Sequence, residues 1–267
     1  GVRMMSLAEM LDVVEDKEGF RRILETLDVP AFSIRNPTCN GKIRRRRPLA
    51  LDEYEFLRRH TDRPIKVPLP GPYILTRAMW VKEVSRAVYA SKEDLAEDVV
   101  AVLRDEVRAL RDAGADFIQL DEPVLTELVF TQGQTRTFMC AALAARKDPQ
   151  EELEFAVGLI NRVLDGLDGV RTGLHVCRGN NRLTRLLDYP VAAFHWDAHA
   201  TGNPAFADIA RRTERALMGG VSHESTMASG EPPQVMQEAR AAMGETEGRR
   251  FLLAPGCSIA PTVPEAN

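Results

Sequence analysis

The sequence predicts an α/β protein whose parallel strands close into a (β/α)8 barrel, a TIM barrel. Three observations carry this. Apolar strand-like runs alternate with amphipathic helices along most of the chain, which is the pattern of a parallel sheet. Chemistry-bearing residues recur where those runs stop: Asp121 and Glu122, His175 and Cys177, Asp197, His223 and Cys257. In a barrel all strand ends meet at one mouth, whereas an open doubly wound sheet would spread several of them along an edge.

Taken in order, "PIKVPLPGPYIL" (64–75) reads as a strand entering a Gly-Pro loop. Residues 91–114 read as a helix: Ser91 and Asp94 form a capping box, Leu95, Val99, Val102, Val107 and Leu110 follow helical spacing, and Gly114 stops it. "ADFIQLDEP" (115–123) is a short strand ending in two carboxylates. Residues 148–167 are helical, with Pro149 in the first turn. "RTGLHVC" (171–177) is a strand, 182–189 a short helix and "VAAFHWDAH" (191–199) a strand. Helix 203–214, strand 215–223, helix 232–244 and strand 250–258 complete the series. About seven strands can be counted, including a weak one at "AFSIRN" (31–36), and no helix follows "APGCSIAPTVPEAN". An eight-stranded barrel therefore implies flanking elements outside this chain. The expected organisation is one catalytic domain over residues 1–267.

Composition narrows the function classes. With 267 residues, 44% hydrophobic and 28% charged, the chain can bury a full core. Its apolar runs are too short to span a bilayer, and no signal-peptide pattern opens it. A net charge of -4 argues against a nucleic-acid partner, and "KIRRRRPLA" (42–50) reads as a solvated basic loop. Four cysteines, at 39, 140, 177 and 257, make no disulfide framework. A cytoplasmic setting is the simplest expectation, with the thiols free to act as ligands.

The chemistry gathers at "TGLHVCRGN". His175 and Cys177 stand two apart on a strand, so their side chains share a face. Cys257, in "APGCS", arrives from another strand end, where Gly256 allows a close turn. Two thiolates and an imidazole suit Zn2+ and leave one exchangeable position. Asp197 is the first choice for a fourth ligand, with His195 and His199 as rivals. Strand parity does not separate Asp197 from His195. Cys39 and Cys140 show no ligand spacing.

"HVC" followed by "PGCSIAPTVPEAN" resembles the superfamily of cobalamin-independent methionine synthases and corrinoid-dependent thiol methyltransferases, whose fold uroporphyrinogen decarboxylase shares. The stretch from "FSIRNP" through "RPIKVPLPGPYIL" to "LRDEVRALRDAGADFIQLDEP" is similar to the methionine synthase barrel. "GNPAFADIARR", "GGVSH" and "LLAPGCSIAPTVPEAN" lean toward the corrinoid and decarboxylase side. The resemblance implies His175, Cys177 and Cys257 as metal ligands and Asp197 near the family's carboxylate ligand, an aspartate in place of glutamate. It implies Asp121 as the group that holds the amino group of homocysteine, and His223 as the proton donor to the departing folate nitrogen. Uroporphyrinogen decarboxylase uses no metal, so the ligand trio argues against that activity.

The implied reaction is alkyl transfer to a small thiol: methylation of homocysteine from a methyl-folate or a methyl-corrinoid protein. The alternative is a zinc-dependent epoxyalkane–coenzyme M transferase, for which Arg178 or Arg77 would hold the sulfonate. An alternative of another class is a metal-free decarboxylase-like or binding barrel. Glu122, Arg178, Arg77 and Trp80 complete the expected substrate-binding set with Asp121. The sequence leaves a homo-oligomer open and points to no membrane partner.

Overall fold

The structure is a computed structural model that describes residues 1–25, 35–123, 125, 148–177 and 179–267. Its centre is a six-stranded, all-parallel sheet: β3 (Lys66–Pro70), β4 (Phe117–Asp121), β5 (Arg171–His175), β6 (Ala193–His195), β7 (Ala216–Val221) and β8 (Phe251–Pro255). The spatial order is the chain order, 3-4-5-6-7-8. A doubly wound sheet would reverse direction around a central strand; this one does not, so it is singly wound.

It also curls. Adjacent strands lie roughly 4.8 Å apart, which would separate β3 from β7 by about 19 Å in a flat sheet. Yet Lys66 Nζ on β3 lies 3.9 Å from Met218 Sδ on β7, and donates to Gln119 Oε1 on β4 at 3.1 Å. Phe117, Ala193 and Met218 form a small cluster with Ala216 and Ala254. The described wall is an arc of the expected barrel.

Helices cover the outer face. α6 (Lys92–Asp112) buries Leu95, Val99, Leu103, Val107 and Leu110 against the wall, and the Ser91–Asp94 capping box forms as its sequence requires. α7 (Pro149–Leu164) packs beside it, started by the Asp148 side chain on the N–H groups of Gln150 and Glu151. α10 (Pro232–Glu245) lies against β7 and β8. Between these run the shorter α8 (Phe206–Ala210) and α9 (Thr226–Ser229).

Several expectations change. The Gly-Pro loop after β3 is a helix, α4 (Pro72–Met79), because Pro72 is preorganised for the first helical position and two of its first-turn N–H groups find a buried carboxylate. Residues 182–189 form only one 3-10 turn, Leu183–Arg185. Of "AFSIRN", residues 31–34 lie outside the described residues. Arg35–Cys39 (β2) pairs antiparallel with Val2–Ser6 (β1), away from the barrel wall. Helices α1 (Leu7–Val13) and α2 (Lys17–Glu25) follow β1, and Met5, Met10 and Phe20 pack with Val81 in a separate small core. α3 (Leu51–Arg58) and α5 (Lys82–Ser85) complete the elements. In the basic loop, Arg45 pairs with the buried Glu106 of α6, while Lys42, Arg44, Arg46 and Arg47 are exposed. Among the described residues, no helix is long and apolar enough to cross a membrane.

Candidate metal centre and its surroundings

Parallel register builds the site. Asp121, His175 and His195 end β4, β5 and β6, and they pair across in register, Asp121 with His175 and His175 with His195. Cys177 lies two residues beyond β5 and Cys257 two beyond β8. Gly256 brings the latter in: a Cβ there would lie 2.4 Å from the Asp197 Cβ, so only glycine permits this approach.

His175, Cys177 and Cys257 converge, with all their ligand atoms within 4.8 Å of one another. The two sulfurs are 3.2 Å apart and Cys257 Sγ lies 3.3 Å from His175 Nε2. The hydrogen bond from Cys177, then His175, holds the Cys257 thiol well below the usual range, against its burial. The shift favours the thiolate at Cys257, the form that binds metal. His175 is buried, and its Nδ1 finds no hydrogen-bond partner among the described residues. The donor set can hold a metal ion, and two sulfurs with an imidazole fit zinc.

Asp197 does not join this group. Its Oδ1 accepts the His199 N–H at 2.9 Å, and its Oδ2 lies 3.1 Å from His223 Nδ1. Burial works to raise its pKa, but the His223 hydrogen bond and the His199 N–H outweigh it and hold the carboxyl below its ordinary value. The same hydrogen bond raises the His223 pKa. A polar recess of about 470 Å³ opens beside this pair, bordered by Asn180, Thr201, Ser222 and Glu224. His199 also borders this recess, its Nε2 3.1 Å from the Gly220 carbonyl. His195 is buried, which pushes its pKa down to about 3.

Asp121 faces the mouth, half-buried, and Gln119 Nε2 donates to its Oδ1 at 2.7 Å. Burial raises its pKa, opposed by that bond. Gln119 was not anticipated; its parity with Asp121 on one strand was the available signal. Glu122 points the other way, fully buried. Its two oxygens accept the Tyr73 and Ile74 N–H groups, each at 2.8 Å, at the start of α4. Burial pushes its pKa up to about 8 despite those bonds. Gly71 makes room, since a Cβ would lie 2.2 Å from Glu122 Oε1. Arg77 sits buried in the wall with its Nε 3.8 Å from Glu152 Oε2. Trp80 is half-buried against the core, and Trp196 is fully buried on Phe206. Cys39 is buried away from the mouth; Arg178 and Cys140 lie outside the described residues.

Residues 23–148 match the family described as the cobalamin-independent synthase catalytic domain. The chain is 32% identical over 227 residues to the methionine synthase of Thermococcus kodakarensis, covering 82% of this chain and 58% of that protein. It thus spans little more than half the length of that relative. Two solved structures share its fold. A B12-independent methionine synthase from Shewanella sp. W3-18-1, in complex with selenomethionine, aligns with a TM-score of 0.66 at 20% identity, over 88% of this chain and 67% of that one. A methyltransferase from Methanosarcina mazei aligns at 0.63 and 18% identity, over 98% and 82%.

Proposed function

We propose that the chain belongs to the superfamily of cobalamin-independent methionine synthase catalytic domains, which its sequence matches support, and from that premise that it holds Zn2+ and alkylates a small thiol. The reaction is methyl transfer to homocysteine from a methyl-folate or a methyl-corrinoid donor. The convergence of His175, Cys177 and Cys257 within 4.8 Å carries this reading. Zinc bound there would supply a Lewis acid that keeps a substrate thiol deprotonated at neutral pH while its sulfur stays nucleophilic.

The chain's own residues do the rest. Asp121, on the strand next to His175 and oriented by Gln119, receives the amino group of the amino-acid thiol. In the transfer the donor's bond to methyl breaks, the sulfur–methyl bond forms, and the thiol proton has already left. With a folate donor the departing nitrogen needs a proton, and His223, oriented through Nδ1 by Asp197 and with its pKa raised by that hydrogen bond, would offer one from Nε2. Glu122 buttresses the wall. The sulfonate of coenzyme M would need an arginine; Arg77 faces Glu152 instead, and Arg178 lies outside the described residues. The placement of Asp121 beside His175 supports an amino-acid thiol as the acceptor. We read residues 1–267 as one catalytic domain.

The test is zinc per chain, measured with His175→Ala, Cys177→Ala and Cys257→Ala alongside. About one zinc in the parent and a loss in each variant is expected. A parent that takes up none after reconstitution under reducing conditions would leave a metal-free barrel. Asp121→Ala should then weaken homocysteine binding with zinc retained; unchanged affinity would remove the amino-acid thiol.

A further inference from the structure

Neither Asp197 nor His195 lies within the 4.8 Å grouping of His175, Cys177 and Cys257, so either would have to shift to become a fourth ligand, and the structure uses the two differently. Both oxygens of Asp197 are engaged, one by the His199 N–H and one by His223 Nδ1. Its backbone carbonyl also accepts Asn203 Nδ2 at 2.7 Å. Drawing this carboxylate onto a metal would break two bonds and release His223.

His195 is the reverse. It stands opposite His175 in the β5–β6 register, with ring centroids 4.4 Å apart, and only 6% of it is exposed. Its Nε2 lies 2.8 Å from the Pro255 carbonyl, two residues before Cys257. A carbonyl only accepts, so Nε2 carries the hydrogen and Nδ1 carries the lone pair. No described residue donates to that Nδ1. A buried acceptor left unpaired costs about 1–3 kcal/mol. An N–H bond to a backbone carbonyl is also the arrangement that orients ligating histidines.

Resting on the zinc reading above, we infer that His195, not Asp197, is the fourth protein ligand, making a two-histidine, two-cysteine centre, while Asp197 stays on His223. The consequence is in the charge. Two thiolates balance the dication when both remaining ligands are neutral imidazoles, whereas a carboxylate would leave a net negative centre. A neutral centre meets an incoming thiolate without that repulsion.

The experiment is zinc X-ray absorption on the zinc-loaded full chain, in which imidazole outer-shell scattering counts histidines. Two imidazoles are expected in the parent and one in His195→Ala, whose zinc affinity should fall at least about 100-fold. Asp197→Ala should keep both imidazoles and its zinc. His195→Gln, checked for native circular dichroism, guards against loss by misfolding, and the parent's count needs no variant. One imidazole in a zinc-bound parent, or zinc lost from Asp197→Ala and kept by His195→Ala, would overturn this inference and leave the zinc site standing. A parent without zinc would overturn both.

Discussion

Two clusters of ionisable side chains sit on the same strand–helix frame and are built on opposite principles. In the wall beneath α4, the buried Glu152 receives Lys92 Nζ at 2.5 Å and the Tyr73 hydroxyl at 2.9 Å, with Arg77 at 3.8 Å. Charges there are answered by the chain itself. At the mouth, His175 and His195 each keep a buried Nδ1 with no partner among the described residues, and two sulfurs face each other at 3.2 Å. Unanswered lone pairs are costly in a dry interior. What singles out the mouth is that two such nitrogens stand beside a pair of facing thiols, a donor set that could hold a metal ion. The wall supports; the mouth is left incomplete.

The largest effect that would break this contrast is in the wall. Glu152→Ala leaves Lys92 and Arg77 buried without their carboxylate, and should cost about 3–5 kcal/mol in urea unfolding. Zinc per chain should stay unchanged. A loss of metal equal to that of Cys257→Ala would show that wall and mouth are one unit.

Glu122→Gln is expected to act more weakly. The amide must turn its NH2 toward the Tyr73 or Ile74 N–H, at a cost of roughly 1–3 kcal/mol. Because the native pKa is pushed from 4.5 to about 8, the folded state holds a proton that the unfolded state has lost across that range. Parent stability therefore falls as pH rises from about 4.5 to 8, and the glutamine variant lacks this term. The gap between them should narrow over that window. A gap constant with pH would mean that Glu122 is ionised throughout.

The wall and the metal trio were legible in the sequence for different reasons. Strand–helix alternation and the Ser91–Asp94 box are local signals, and local energetics made them true. His175 and Cys177 were legible as a pair spaced for one face. The Asp197–His223 pair was not. Alternation extends only as far as the ladder, and β6 ends at His195, so parity carried no information about where Asp197 points. The α4 helix was missed because its start depends on Glu122, 48 residues away from Ile74. Long-range satisfaction of backbone donors leaves no periodic trace.

The smallest effect tests whether Asp197 belongs to the answered or the unanswered groups. Asp197→Asn keeps an oxygen for His223 Nδ1 but removes the charge, so stability should change by about 1 kcal/mol or less. The clearer readout is the His223 imidazole titration followed by NMR. The Asp197 hydrogen bond raises the His223 pKa above 6.5, so its stabilisation is full below about 6.5 and is lost as pH rises through the native value. The variant should titrate at lower pH, with zinc content unaltered. If the midpoint stays where it is, His223 does not feel the Asp197 charge. The carboxylate would then be free for the metal, and the mouth would need no second histidine.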